Sequence, residues 1–537
     1  MKHIGHNRKQ VRGGTLRVAP AMTLGLAVLL TGCDSLLEVS LPGTITVDDL
    51  ANAAFAEILT QSAIGTVECS YSRFMNNAAG FEDAWLVFSG GQDVNYEHVV
   101  AGTSECGSTL SDNRFTWWDP MQEARFTAED TYSRLLDWTE EEIAVGLVNF
   151  TTREQLLGVN ALYASIPYTM FGEHVCEITI ELGPLMTPDE VLAIAEGWVD
   201  TALGHITTHI AAEVAAGETD ADAREYPHSI TDDSEMMAYA LRARIRWARG
   251  DLVNAAADAA LVTDGFFAYA TRNSGVEPHR ANSVYELHHN TGGLGLDARI
   301  APVLDWWVDQ SDAGTYPAPA AGWPLVGGVG PEALIPFTGY IDLAIAANGR
   351  AVDAVGNAVT IVTDPGATPD TRVKHLTGTL SNDEPGQVQQ KYTTGAQPII
   401  MVNWAEMRLI QAEANTASAV AMVNVLRADA GLPAVSYAPN ADEIENMIFE
   451  ERRRHLWLEG RFWSTKIKNQ MASGTKLWFP RELGTQRTPD DEATLQGGVR
   501  LRMETREFDI NPNLNRNLRA TGCGPYQRPV APEHGDI

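Results

Sequence analysis

The side chains best suited to chemistry in this sequence are aromatic and acidic ones. Two adjacent tryptophan pairs, Trp117-Trp118 and Trp306-Trp307, together with Trp323, stand in or next to stretches poor in helix signal. Tyr96 lies beside Asn95, with Asp93 close by. Rings exposed on loops can stack on the apolar C–H faces of sugars, while amide, carboxylate and guanidinium groups bond the hydroxyls. Tyr96, Asn95, Trp117, Trp118, Trp306, Trp307 and Trp323 are therefore candidate ligand contacts. The ordinary alternative for each ring is packing, and an adjacent Trp pair usually splits, one ring inward and one outward. Trp85 lies in a more apolar run and reads as core.

Other constellations are weaker. The run Glu450-Glu451-Arg452-Arg453-Arg454 suggests an anion site, but Glu450 with Arg454, and Glu451 with Arg454 or His455, have the spacing of helical ion pairs. It reads as a structural charge network. His288-His289 are adjacent, so they do not share a helix face, and no third metal ligand stands nearby. Asp353, Asn357, Asp364 and Asp370 lack the spacing of a calcium loop. No metal or other cofactor is expected. Acid pairs are plentiful, yet two carboxylates define a glycosidase only by their separation in space. No G-x-S-x-G, H-E-x-x-H or P-loop occurs. Binding without catalysis is the expectation.

The chain that must position these groups has 537 residues, more than one compact core usually holds. Its 70 acidic against 39 basic side chains disfavour nucleic acid as a partner. The charge is uneven. Residues 1–32 hold Lys2, Arg8, Lys9, Arg12 and Arg17 and no acid, followed within them by an apolar stretch from Val18 to Leu30 that is too short to span a bilayer. Leu30-Thr31-Gly32-Cys33 then has the form of a bacterial lipobox. Residues 1–32 read as a lipoprotein signal peptide and Cys33 as the lipidated first mature residue, anchored by acyl chains rather than by a spanning helix. Export permits disulfides among Cys69, Cys106, Cys176 and Cys523, with every pairing open.

Helical signals dominate the rest. Spacing predicts helices over Leu50–Ile64, Pro120–Trp138, Arg153–Tyr168 and Asp442–Lys468. Thr187-Pro188-Asp189-Glu190 is a helix start. Small residues line two faces on either side of Gly250-Asp251, and a second such pair runs from Trp404 to Asn415 and from Ala417 to Ala430. Both resemble tetratricopeptide hairpins, though without a strict period. Residues 65–116 and 270–400 are expected as large loop regions with minor β-structure, and the tail after Pro480 as mostly coil. The fold class expected is mostly α.

At this point the chain resembles the SusD/RagB family of outer-membrane nutrient-binding lipoproteins. Cys33-Asp34-Ser35-Leu36-Leu37-Glu38-Val39 with its Pro-Gly turn, and Gly172-Glu173 before Cys176, carry part of the likeness. Lys391-Tyr392 leads into the specific part, which runs from Trp404–Ala414 through Val423–Ala428 and Gly431-Leu432-Pro433 to Ile448–Leu456, Glu459-Gly460 and Arg461-Phe462-Trp463. Arg506-Glu507 and Asn511-Pro512-Asn513 close the likeness. The chain departs from the family at Leu501–Thr505, where a Pro-Ile-Pro run is common. The resemblance implies one integrated fold with an N-terminal region, 33–235, and a C-terminal region, 236–537, in which tetratricopeptide-like hairpins support loop-built binding surfaces. It also implies surface exposure on the outer membrane, capture of a glycan or other oligomeric nutrient, and partnership with a TonB-dependent, SusC-like transporter. The readings that compete are a helical scaffold for a protein partner, a binder of peptides or other non-glycan nutrients, and an extracytoplasmic hydrolase.

Overall fold

The computed structural model describes residues 49–81, 85–87, 117–175, 177–228, 231, 233–273, 281–285, 294–296, 344–345, 351–352, 372, 375–379, 385–432, 434, 441–461, 464–465, 468, 503 and 505–514. Asn52–Ile537 forms one compact unit. In the other unit, Met1–Ala51, the described residues make a single 3-10 turn, Asp49–Ala51.

The helices are α1 (Ala56–Phe81), α2 (Trp118–Asp137), α3 (Glu140–Ala144), α4 (Arg153–His174), α5 (Pro188–Ala216), α6 (Asp220–Arg224), α7 (Ser234–Arg249), α8 (Leu252–Ala259), the short turn α9 (Ser283–Tyr285), α10 (Trp404–Ala414), α11 (Ala419–Asp429), α12 (Ala441–His455) and α13 (Thr505–Ile510). The architecture is mostly helical, as expected. α1, α2 and α4 pack together, and α4, α5, α7, α8, α10 and α11 then follow one another in contact, so each hairpin covers the apolar face of the one before.

Local chemistry sets the boundaries. Thr187 caps α5 in a reciprocal box with Glu190, and Pro188 supplies the first helical position. Gly250 ends α7 at φ +88°, and the Asp251 side chain caps α8, which gives the tight turn of the first hairpin. α4 is buried from Gln155 to His174, the sign of a helix at the centre of a core. Its partner α5 comes very close. A Cβ on Gly158 would meet Ile206 Cγ1 at 2.7 Å, and one on Gly172 would meet Leu192 Cγ at 2.5 Å.

A ladder of ions braces the hairpins from outside. Asp258 of α8 accepts from Arg242 (2.7 Å) and Arg246 (2.7 Å) of α7. Arg242 reaches on to Asp200, Arg246 to Glu196, and Arg249 to Glu196 and Asp189, all on α5.

The strands are β1 (Trp85–Val87), β2 (Phe267–Ala270), β3 (Leu294–Leu296), β4 (Ala344–Ile345), β5 (Ala351–Val352), β6 (His375–Thr379), β7 (Pro385–Gln389) and β8 (Ile399–Asn403). They form an antiparallel sheet of order β1-β3-β7-β6 and the pairs β2-β8 and β4-β5. In β2-β8, Phe267 faces Asn403 and Tyr269 faces Ile400, with a bulge between Ala268 and Tyr269.

Two expectations need correction. α1 runs to Phe81 rather than to Ile64, because Val67, Tyr71, Phe74 and Met75 continue a buried stripe that outweighs the poor helix formers around it. α12 ends at His455, short of Lys468, where a turn with Leu458 at φ +55° and Gly460 at φ +70° takes over. Strands β3 to β7 lie within residues 270–400, where minor β-structure was expected, and α13 is a short helix within a tail expected to be mostly coil.

The glycines of α4 and α5 have opposite roles, which substitution would expose. Gly158→Ala should lower stability by about 1–3 kcal/mol through overpacking against Ile206. Gly204→Ala, where nothing lies within 4 Å, should raise it by about 0.5–1 kcal/mol. Urea denaturation followed by circular dichroism would read both.

Candidate functional site

The segment that carries the family resemblance forms a buried charge network at the junction of the helical hairpins. It begins at Asn403, the last residue of β8. Its side-chain oxygen caps α10 by accepting from the Glu406 amide at 2.9 Å, and its Nδ2 donates to Glu459 at 2.7 Å. Glu406 is buried and accepts from Arg461 Nε at 3.1 Å and Arg452 Nη2 at 3.3 Å. Lys391 donates to Glu459 at 2.6 Å. On the other side, Arg244 of α7 grips Glu173 of α4, with Nε at 2.8 Å, and donates from Nη1 to the Met401 carbonyl at 3.1 Å. Arg461 Nη2 meets that same carbonyl. Arg452 lies 3.8 Å over the Trp247 ring, whose indole N–H donates to Glu413 at 2.6 Å.

Beside this centre, Glu451 contacts Arg427 at 2.6 Å, Arg372, and His455 at 3.2 Å. The Glu451–His455 contact is one that the helical spacing suggested. These side chains are enclosed, and their charges are spent on each other. The run around Glu451 is thus a structural network, as the sequence reading had it.

The interior sets the ionisation of these groups. Burial alone would raise the Glu173 carboxyl, but Arg244, with help from Arg461 and His174, holds it down to about 2. Burial would likewise raise Glu451, and Arg372 and Arg427 keep it well below the usual carboxylate range. Burial raises Glu459 despite Lys391. His174 is fully buried, with Nδ1 2.9 Å from the Met170 carbonyl and Nε2 3.0 Å from the Gly460 carbonyl. Burial pushes its imidazole down to about 4.

The expected ligand contacts fare differently. Trp117 and Trp118 were expected on a loop platform, and the structure corrects this. Trp117 stands at the start of α2 and packs edge-on to Phe74 (5.2 Å between centroids) and to Trp118 (5.5 Å). Trp118 packs against Phe171 and donates its indole N–H to Glu507 of α13 at 3.0 Å. Both rings are closed to solvent, because both face the crowded junction of α1, α2 and α4. Tyr96, Asn95, Trp306, Trp307 and Trp323 lie outside the described residues, as do Cys33, His288-His289, Asp353, Asn357, Asp364 and Asp370. Cys69 is buried and disulfide-bonded. Among the described residues no group of metal-ligating side chains could hold an ion.

Two features escaped the sequence reading. Glu68 of α1 is buried and gathers the Tyr163 hydroxyl (3.2 Å), His228 Nε2 (2.6 Å) and the Thr271 amide (2.8 Å), joining α1, α4 and the end of β2. Phe267 and Tyr269 stand half-buried and nearly parallel on one face of β2, 5.6 Å apart, while Ala268 and Ala270 point inward. The alternation Phe-Ala-Tyr-Ala was a visible signal for that strand.

No protein-family model matches the chain, and no curated protein matches it in sequence. Solved structures do. A SusD homolog from Bacteroides thetaiotaomicron VPI-5482 superposes with a TM-score of 0.52 at 11% identity, over 89% of this chain and 97% of that one. A SusD/RagB family protein from the same organism gives 0.49 at 12%, over 86% and 95%. A SusD-like carbohydrate binding protein from Bacteroides vulgatus ATCC 8482 gives 0.45 at 14%, over 78% and 84%. The first of these likenesses shows the fold. The chain adopts a SusD/RagB-like fold, a helical, tetratricopeptide-like architecture, as the resemblance implied.

Two outcomes test the network. Glu406→Gln should cost about 3–5 kcal/mol, since Arg452 and Arg461 then sit buried without their counter-ion, and urea denaturation would show it. Acid should weaken the fold in two stages. His174 titrates below its ordinary 6.5, so the stability it contributes is complete above pH 6.5 and is lost as pH falls towards 4. Glu173 titrates below its ordinary 4.5, so its contribution is lost as pH falls from 4.5 towards 2. Melting curves from pH 7.5 to 3.5 should slope downward below pH 6.5, and His174→Gln should flatten the first part of that slope.

Proposed function

We propose that this chain is a lipid-anchored binding protein on the outer face of the outer membrane, which captures a nutrient and delivers it to a TonB-dependent transporter. The observation that carries the reading is the SusD/RagB-like fold, together with the lipobox ending at Cys33. On this reading residues 1–32 are removed as a leader and acyl chains on Cys33 hold the protein to the membrane. No described helix is long and apolar enough to cross a membrane, which fits attachment by lipid.

The ligand class favoured is an oligo- or polysaccharide. The solved structure from Bacteroides vulgatus bears the description carbohydrate binding, and the candidate contacts Tyr96, Asn95, Trp306, Trp307 and Trp323 have the chemistry for stacking and hydroxyl recognition. The helical hairpins serve as a rigid support, and the ligand is held without any bond being broken. The buried carboxylates Glu173, Glu406, Glu451 and Glu459 are set aside from this role, since their charges are taken up by the cations around them.

A glycan array and a peptide pool, applied to soluble protein starting at Asp34, would test the reading. The expected result is binding to one glycan class, lost when Trp306, Trp307 and Trp323 are replaced by Ala while circular dichroism is unchanged. Binding only to peptides would move the ligand class. Binding to neither would remove nutrient capture. Separately, Cys33→Ala should release the full-length protein from the membrane fraction, and retention there would overturn the lipid anchor.

A further inference from the structure

Among the described residues, one end of the helical body gathers more exposed apolar side chains than any other part. α1 and α4 begin at this end, while α2 and α5 finish there. The connection from α3 to α4, residues 145–152, crosses it and carries Val145 and Val148, exposed by 81% and 84%. Ile58 at the start of α1, Leu136 at the end of α2 and Val214 near the end of α5 are exposed beside it. Single exposed apolar residues are ordinary on any surface, but a convergent set calls for a partner.

The loop is held rigidly in this pose. The Glu57 carboxylate accepts from the amides of Val148 (2.6 Å), Asn149 (3.0 Å) and Phe150 (3.4 Å), and from Asn149 Nδ2 (2.5 Å). Gly146 lies so close to the Ala54 carbonyl that a Cβ would approach it to 1.9 Å. Phe150 is sunk into the core. Arg153 ties the far side to the carbonyls of Leu135 (2.8 Å) and Leu136 (3.1 Å), and Thr151 reaches Glu213 at 3.3 Å. The valines therefore do not reach the surface by local fraying. A preorganised apolar tip loses little freedom on docking.

The rim chooses the partner's class. Asp137, Glu140, Glu141, Glu142 and Glu218 are exposed around the apolar residues. Arg153, half-buried, spends its guanidinium on backbone carbonyls. Such a rim repels lipid phosphates and a second acidic copy of the same end, and it suits a protein face with an apolar centre and Lys or Arg around it. Asn52, the first residue of the compact unit, lies at this same end, since Ala54 touches Gly146.

We propose that the Val145–Val148 loop, with Ile58, Leu136 and Val214, is the surface by which the protein docks on its transporter. This rests on the reading given under Proposed function and adds the place of contact. The transporter's matching face carries an apolar depression bordered by basic side chains.

The test uses the full-length chain in its own outer membrane, with p-benzoylphenylalanine in place of Val145, Val148 or Val253. Val253 on α8 is 79% exposed and lies in a different part of the body. Irradiation should give adducts to a TonB-dependent barrel from positions 145 and 148 and not from 253. Val145→Glu with Val148→Glu should reduce co-purification of the barrel by roughly tenfold or more while the melting curve stays the same. Adducts to lipid or to a second copy from 145 and 148, adducts to the barrel from 253 alone, or co-purification unchanged in the double variant would each overturn the docking surface and leave the transporter partnership standing. Failure of any barrel to co-purify with the unaltered chain would remove the partnership itself, and the surface with it.

Discussion

Burying Glu173, Glu406, Glu451 and Glu459 obliges the fold to bring a cation or a strong donor to each, and the rest of the architecture follows from meeting that requirement. The cations come from distant parts of the chain: Arg244 from α7, Lys391 from the approach to β8, and Arg452 and Arg461 from α12 and the turn after it. α4 and α7 are held together by one of these pairs, α10 and α12 by another, and β8 stands between the two. Its Met401 carbonyl accepts from Arg244 and is met by Arg461. Apolar packing alone would allow the hairpins to slide. Directional bonds at a desolvated centre fix one arrangement, which is the attested use of buried polar groups where they do not add net stability.

The outer ion ladder works differently. Asp200, Arg242, Asp258, Arg246, Glu196, Arg249 and Asp189 alternate in sign across α5, α7 and α8, and several of them meet solvent. Exposed pairs contribute little singly and are screened by salt, whereas a connected series gains from each member's neighbours on both sides. The inner network joins α4 to α7 and α10 to α12, and the outer ladder joins α5, α7 and α8 along their solvent side.

Much of this was legible in the residues. The Thr187–Glu190 start, the Gly250-Asp251 turn and the hairpin from Trp404 onward rest on local rules of capping and spacing, which act over a few residues and can be read directly. The charge-paired character of the run around Glu451 was also legible, because helical spacing pairs Glu451 with His455. What failed depended on tertiary context. Nothing local to residues 65–81 announces a helix, and α1 extends there only because Tyr71 and Phe74 find a core made by α2, α4 and β8. Trp117 and Trp118 have the same composition as a ligand platform, and only the approach of Phe74, Phe171 and Glu507 from elsewhere makes them interior. Glu68 with His228 and Thr271 was invisible for the same reason, since its partners are separated by 160 and 203 residues. Of the candidate ligand contacts, only Trp117 and Trp118 fall among the described residues, and their burial was set by partners that no local pattern announces.

The late position of Arg461 has a further consequence for how a copy of this protein comes to be accepted as finished. Glu173 and Arg244 meet within the first half of the chain, but Glu406 is buried against arginines that come only at 452 and 461. A product ending between these points holds a carboxylate in the interior with no counter-charge, a penalty comparable to a large part of a domain's whole stability of about 5–15 kcal/mol. It also lacks the Gly460 carbonyl that meets His174 and the Glu459 carboxylate that holds Asn403. Such a fragment is less stable than the whole chain and more open to proteases. The same residues that lock the hairpins therefore favour a chain that carries all of them over one that stops short.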